Sequence, residues 1–420
     1  MKRSHLFKIL SLISLLTCFL GTASLIASHA VFAKAGQHNA PGVSQSTTTN
    51  SDWTMFNFHH SRFNANETTL STTNVSRLSR AWSVSTLTTA VGGANTEPAV
   101  ANGIVYTTNP NANSNSSLDA LNEKTGKILW RRVLSSNGPG GGRQYYPTVV
   151  NGLVYINDGS YAEAYNAATG TKIWSRSILP WYAMVIVNGV VYVQSGLGYP
   201  NGQSSVYALN AQTGKTIWNV VLQQDLYSTS PAVANGVVYV GAVDGTFLAL
   251  NATNGKTLWT AALGMSNAII TAPVVDNGAV YVEADSYGLF AFNATTGKQL
   301  WFAPSDPYGG SPAVAYGMVY LTESGAIQAY NETTGKLVWQ QPTNNNTLTD
   351  TLYSVTVANG VAYASANNGG PIAFDAKTGK ILFTYANNPY QGQSASSPVV
   401  ANGMVFFNLA YGYTDALKLI

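Results

Sequence analysis

Apolar and polar residues alternate in short runs along most of the chain, and the runs come in pairs. One recurring stretch reads Pro-x-Val-x-Asn-Gly-x-Val-Tyr or a close variant, at 98–106, 147–155, 231–239, 273–281, 312–320 and 398–406. Two more copies, ending at Tyr192 and Tyr363, lack the proline. A period of two predicts strands, and Asn-Gly accepts the positive φ angles of a tight type I′ turn. Each copy is therefore predicted to be a β-hairpin. In the sixth, Tyr316-Gly317 replaces Asn-Gly.

A second stretch, Ala-x-Asn-x-x-Thr-Gly-Lys-x-x-Trp, follows each of the first seven hairpins. It is clear at 120–130, 208–218, 291–301 and 329–339, with variants at 164–174, 249–259 and 373–383. Its asparagine can bond backbone amides ahead of it, and its glycine takes a left-handed turn position. Hairpin, connection and second hairpin make a four-stranded sheet of 38 to 48 residues, measured between closing aromatics. Those aromatics are Trp82, Trp130, Trp174, Trp218, Trp259, Trp301 and Trp339, with Phe383 in the eighth place. A lone sheet of this size buries neither face. Radial stacking buries both, with the indoles filling the gaps.

Counting the units predicts the closure. The hairpin at 398–406 is followed by Asp415-Ala416-Leu417-Lys418, after which no outer strand remains. Residues 75–82, ending at Trp82, form an outer strand with no hairpin before it. Joining the two gives an all-β, eight-bladed β-propeller of four-stranded antiparallel blades, its last blade completed by the N-terminal strand. The alternative is a seven-bladed ring with surplus ends. Closure removes exposed strand edges.

The repeated Ala-x-Asn/Asp-x-x-Thr-Gly-Lys-x-x-Trp resembles the tryptophan-docking motif of the pyrroloquinoline-quinone (PQQ) repeat propellers, the quinoprotein alcohol dehydrogenase-like superfamily. The resemblance covers residues 52–420. Asp52-Trp53, Phe56, Asn57 and Asn64 also resemble the segment before the first strand of those proteins. It implies indoles docked between adjacent blades. It also implies one of two functions: PQQ-dependent alcohol oxidation, or the non-catalytic role of relatives such as the outer-membrane assembly lipoprotein. The chain looks closer to the second group, because it lacks the adjacent cysteine pair and the inserted loops of most of the dehydrogenases.

Composition narrows the setting. Of 420 residues, 45% are hydrophobic and only 9% charged, against about 25% charged in an ordinary globular domain. Lys2, Arg3 and Lys8 precede an apolar stretch, Ile9 to Ala27, and small residues follow up to Ala33. This is the layout of a signal peptide at 1–33, with an uncleaved anchor as the alternative. Residues 34–50 read as a flexible spacer and 51–420 as the propeller. The expected location is secreted, cell-surface or periplasmic. Residues 1–33 hold three Lys/Arg and no Asp/Glu, which leaves 18 of each sign in the rest. That balance gives no sign of a nucleic-acid partner. The single cysteine, Cys18, lies in the apolar stretch, so disulfides and thiolate metal sites are excluded once it is removed.

Catalytic signatures are sparse. The loops expected on the functional face carry Glu97, Asp158, Asp225, Asp244, Glu283, Asp285, Asp306, Glu323 and Asp350, scattered over different blades. Glu283 and Asp285 are the weak candidates for half a calcium site. His59-His60 reads as surface. No Gly-x-Ser-x-Gly elbow occurs. Aromatic residues precede several innermost strands: Tyr145, Tyr146, Trp181, Tyr182, Tyr227, Tyr308, Tyr353 and Tyr390. Tyr146, Trp181, Tyr182, Tyr227, Tyr308 and Tyr353 are the ligand-binding candidates, with rim packing as the plain alternative. The opposite face is expected to carry Lys127, Lys172, Lys215, Lys256, Lys298, Lys336 and Lys380, one per turn. They either attract an anionic polymer or keep the ring soluble.

Two readings stay open. One is a non-catalytic, monomeric scaffold that binds an extracellular protein or polysaccharide through one face, with no cofactor and no membrane contact beyond an uncleaved N-terminal segment. The other is a PQQ- and calcium-dependent oxidoreductase with a reduced site.

Overall fold

The computed structural model describes residues 51–55, 61–86, 96–109, 116–134, 145–180, 182–195, 204–222, 230–242, 244–264, 271–284, 287–305, 310–323, 325–342, 354–365, 370–385, 395–409 and 412–420. Residues 1–50, with the signal-peptide and spacer readings, lie outside the described residues.

Eight sheets follow one another, each with four antiparallel strands in simple up-and-down order, and one of them carries a short fifth strand on its inner edge. We number them blades 1 to 7 by their strands at 99–133, 148–177, 185–222, 232–262, 274–304, 313–342 and 356–384. Blade 8 combines the strands at 399–419 with Leu78–Ser85, which pairs antiparallel with Tyr413–Leu419. The innermost strands are neighbours in ring order, and those of blades 1 and 8 also touch. The ring is thus eight-bladed and closed by the N-terminal strand. One boundary moves: residues 75–77 form a short 3-10 turn, and the strand begins at Leu78.

Each hairpin turns on an Asn at φ of 42° to 52° followed by Gly at 74° to 79°, the geometry that Asn-Gly was expected to supply. Tyr316 takes φ 55° in the same place, which is rare for a bulky residue. Its hydroxyl accepts a hydrogen bond from Gly360 N in blade 7, 2.8 Å away, and its ring packs edge-on against Phe63 at 5.1 Å. In the outer turn of each repeat the Asn or Asp Oδ1 accepts two backbone amides ahead of it, as Asn293 does from Thr295 and Thr296. Both kinds of turn lie on one face of the ring, because the outer turn also bonds the hairpin glycine, as in Ala294 N to Gly278 O at 2.9 Å.

The core lies between blades. Each main apolar cluster draws residues from two adjacent sheets, as Tyr106, Leu118 and Trp130 of blade 1 do with Val154, Ile156 and Tyr165 of blade 2. Seven indoles reach across: Trp82, Trp130, Trp174, Trp218, Trp259, Trp301 and Trp339 each donate Nε1–H to an outer-turn carbonyl of the next blade, at 2.8–3.2 Å. Six of those carbonyls also accept a tyrosine hydroxyl from the preceding blade, such as Tyr239 to Ala294 O at 3.1 Å.

Candidate functional site

Innermost strands present a free edge to the axis of a propeller, and their unpaired N–H groups need partners. The N-terminal segment supplies several. Val100 N donates to Trp53 O in blade 1, Val149 N to Thr54 O in blade 2, Val314 N to Ser61 O in blade 6 and Val357 N to Arg62 O in blade 7. Met55 packs against the cluster of blades 3 and 4. Phe63–Asn64 adds a short parallel strand to Thr356–Ala358, and Asn64 Nδ2 donates to Val400 O in blade 8. Residues 51–55 and 61–64 therefore line and plug the axis, with Asn64 back beside the point of entry, where its Nδ2 donates to Ser51 O at 2.8 Å. No periodicity marks this segment. Asp52-Trp53 was visible only through the family resemblance, and its place in the axis was not foreseen.

The segment enters on the turn-bearing face, where Ser51 Oγ accepts from Asn402 N and Asp52 Oδ2 accepts from Asn102 N. It reaches the opposite, loop-bearing face at Arg62. There the guanidinium forms two hydrogen bonds to Glu97, at 2.9 and 3.2 Å, and donates to Val355 O at 2.8 Å. Both side chains are buried, at 0% and 4% exposure. Burying one charge alone would be prohibitive; the pair compensates both. Arg62 also lies over the Trp53 ring at 5.9 Å and holds φ 54°.

Three positions before the middle of each innermost strand stand Glu97, Tyr146, Ala183, Ser230, Ala272, Ser311, Ser354 and Ser397. Six of the eight are Ser or Ala. Glu97, expected as a loop acid, is consumed by Arg62. Tyr146 packs against Ala183 and Ala272, which lead into blades 3 and 5. Tyr182 is half-buried, its carbonyl accepts from Asn157 Nδ2 at 3.0 Å, and burial pushes its hydroxyl pKa up to about 12. Trp181, Tyr227, Tyr308, Tyr353 and Tyr390 lie outside the described residues, as do Asp225, Asp285, Asp306, Asp350, His59 and His60.

The remaining loop acids are engaged locally. Asp158 Oδ1 accepts the amides of Ser160 and Tyr161, and Asp244 Oδ1 that of Thr246. Glu283 is buried. Glu323 accepts from Gln328 Nε2 at 2.5 Å, beside a cleft of about 550 Å³ between blades 5 and 6 that Phe302, Ser305 and Tyr330 also line.

A calcium-bound quinone needs several hard oxygen donors converging on one point. Among the described residues no three His, Cys, Asp or Glu side chains converge so. Glu97 faces a cation already, in Arg62. The described residues do not fit that cofactor.

Sequence reasoning missed a second set of residues. Asp415, Asp119 and Glu163 occupy one register position in the third strands of blades 8, 1 and 2, all fully buried. Leu248, Phe290 and Ile372 stand at that position in blades 4, 5 and 7. Tyr207 and Gln328 fill it in blades 3 and 6, so three carboxylates in a slot that is otherwise uncharged were the available signal. Asp119 is held by Arg131 at 2.7 Å, and Glu163 by Lys172 at 2.6 Å, so Lys172 is not a free member of the lysine ring. Burial raises the Asp119 and Asp415 carboxyls above their ordinary range.

Comparison with known proteins agrees with this architecture. The family described as outer membrane protein assembly factor BamB matches in overlapping stretches, 68–197, 159–301 and 202–419. The chain is 36% identical over 99 residues to tetrathionate hydrolase of Acidithiobacillus ferrooxidans, a stretch covering 23% of this chain and only 19% of that protein. The crystal structure of BamB from Moraxella catarrhalis superposes with TM-score 0.62 at 18% identity, over 81% of this chain and 97% of the other. The quinohemoprotein alcohol dehydrogenase ADHIIG of Pseudomonas putida HK5 gives 0.70 at 16% identity, over 88% and 80%. At such identities the superpositions establish the fold alone, whereas the match over nearly all of the propeller establishes the family: the chain belongs to the PQQ-like repeat propellers of the BamB family.

Proposed function

We propose that the chain is a non-catalytic binding scaffold, working outside the cytoplasm and taking a protein or polysaccharide segment on its loop-bearing face. The observation that carries this reading is the plugged axis. The Arg62–Glu97 pair closes the floor beneath that face and uses its described acid and base on each other. Among the described residues, what remains around the mouth is small and neutral, with Tyr146 and Tyr182 beside it. Aromatic rings among small polar residues suit a glycan or an extended peptide, which binds by stacking and backbone hydrogen bonds rather than by charge. A family model described as an outer membrane protein assembly factor supports the same setting.

The test has two parts. Purified protein is mixed with PQQ and calcium, and quinone absorbance and dye-linked alcohol oxidation are recorded; no stoichiometric binding and no turnover are expected. A glycan array and a pull-down from envelope extract then seek the ligand. Tyr146→Ala and Tyr182→Ala are expected to weaken any captured ligand while leaving the melting temperature of the ring within a few degrees. Stoichiometric quinone binding with turnover overturns the scaffold.

A further inference from the structure

The face opposite the loops has a chemistry of its own. Each outer turn puts lysine at its end, and Lys127, Lys215, Lys256, Lys298, Lys336 and Lys380 are all exposed. None of these six is in an ion pair with a described residue. The acids on this side lie inward. Asp52, Glu67, Glu123 and Glu332 are buried, Glu67 accepting from Ser51 and from the amides of Thr69 and Gly403. Asp276 bonds Asn277, and Asp375 is tied into its own turn by the Lys377 and Thr378 amides. The exposed outer ring is therefore basic although the chain after residue 33 is balanced in charge.

Two residues beyond most of these lysines, at the start of the outer strand, sits an aliphatic side chain about half exposed: Leu129 48%, Ile217 50%, Leu258 49%, Leu300 51% and Val338 52%. A ring that alternates ammonium groups with aliphatic side chains matches a surface carrying phosphate above hydrocarbon. A second observation points to the same partner. Ser51 and Asp52 are bonded to the Asn402 and Asn102 turns, so the peptide bearing the apolar stretch Ile9 to Ala27 joins the propeller on this lysine face.

We infer that the turn-bearing face docks on an anionic bilayer through this lysine ring, and so points the loop-bearing face away from the membrane. The inference is independent of what the loops bind.

The full chain is incubated with vesicles of phosphatidylcholine alone, or of phosphatidylcholine with phosphatidylglycerol, and pulsed with a water-soluble acetylating reagent. Mass spectrometry then reads each lysine. An inserted N-terminal segment would hold the protein to both vesicles, so only the difference between them counts. Phosphatidylglycerol is expected to protect Lys215, Lys256, Lys298 and Lys336 about tenfold, with the protection lost in high salt. The triple variant K215E/K256E/K298E is expected to lose phosphatidylglycerol-dependent protection at Lys336 by about a hundredfold in affinity while melting like the parent. Equal acetylation on the two vesicles overturns the inference. So does protection by soluble dextran sulfate without protection by vesicles, which would make the partner an anionic polymer.

Discussion

Seven of the eight blade junctions are built alike, and the one that closes the ring is not. At a repeated junction the indole lies flat on the glycine of the next outer turn, whose φ is 67° to 74°. A Cβ there would meet the ring or its neighbour at 2.5–2.8 Å. The indole N–H bonds the turn carbonyl, and in six cases a tyrosine hydroxyl shares it. Between blades 7 and 8 the turn does not exist, because its two strands come from opposite ends of the sequence: Ile420 ends one and Val75–Arg77 opens the other. The aromatic there is Phe383, with no donor. The matching tyrosine, Tyr363, is fully buried and its hydroxyl has no hydrogen-bond partner among the described residues. Burial raises its pKa further above the ordinary range. The seam is filled instead by Leu70, Val75, Leu78, Leu382 and Phe383, and pinned by Asn359 Nδ2 to Leu70 O at 2.8 Å. Where a turn can be repeated, polar geometry specifies the junction; where the chain must end, apolar filling replaces it.

The largest test of that difference is removal of the closing strand. Deleting residues 75–85 strips blade 8 of its outer strand and bares the Tyr413–Leu419 edge. Loss of the cooperative melt and aggregation on expression are expected. A soluble truncation melting like the parent would show that the ring does not depend on its seam.

Next come the aromatics. Trp174→Ala empties a buried slot and leaves Ala211 O short of one donor, costing about 3–5 kcal/mol. Phe383→Ala at the seam should cost about 2 kcal/mol, since that ring is half-buried and donates nothing. Phe383→Trp should bring no gain, because no turn carbonyl awaits it. Urea melts measure all three, and equal losses for the two alanine variants would erase the distinction.

A finer comparison uses single hydroxyls. Tyr239→Phe removes a bond to Ala294 O and should cost about 1 kcal/mol. Tyr363→Phe removes a buried hydroxyl that is unpaired and should be neutral or stabilising. A loss at Tyr363 as large as that at Tyr239 would mean that the seam holds a partner for it.

These contrasts also explain what could be read from the sequence. The blades were legible because a hairpin and an Asx turn each need particular residues at fixed offsets, and eight copies make the offsets unmistakable. The closure was legible by counting, since Trp82 lacked a hairpin and the 398–406 hairpin lacked an outer strand. The plug was not, because residues 51–55 and 61–64 satisfy the free edges of different blades with backbone carbonyls, which any side chain can present. The Arg62–Glu97 pair escaped for the same reason: its members are 35 residues apart and meet only once the segment is threaded. The loop face was legible only as a set of aromatic candidates, of which Tyr146 and Tyr182 are among the described residues.

The smallest expected effect separates two buried carboxylates at the same register. Asp119 in blade 1 is raised by burial but answered by Arg131, whose guanidinium also donates to Thr86 O. Asp415 in blade 8 is raised by burial with weaker compensation, from the Ser83 hydroxyl at 2.5 Å, the Arg80 charge and the Tyr385 hydroxyl at 3.4 Å. A carboxyl whose folded pKa lies above its unfolded value binds its proton more tightly when folded. Its contribution to stability therefore falls as pH rises from the unfolded pKa through the folded one. Asp415→Asn removes that penalty, so the variant should gain on the parent as pH is raised from mildly acidic to neutral. Asp119 is raised by burial as well, so Asp119→Asn should shift in the same direction, with its gain offset by the loss of Arg131's counter-charge. Thermal melts over a pH series read both, and an Asp415→Asn curve parallel to that of the parent would remove Asp415 as the titrating group at the seam.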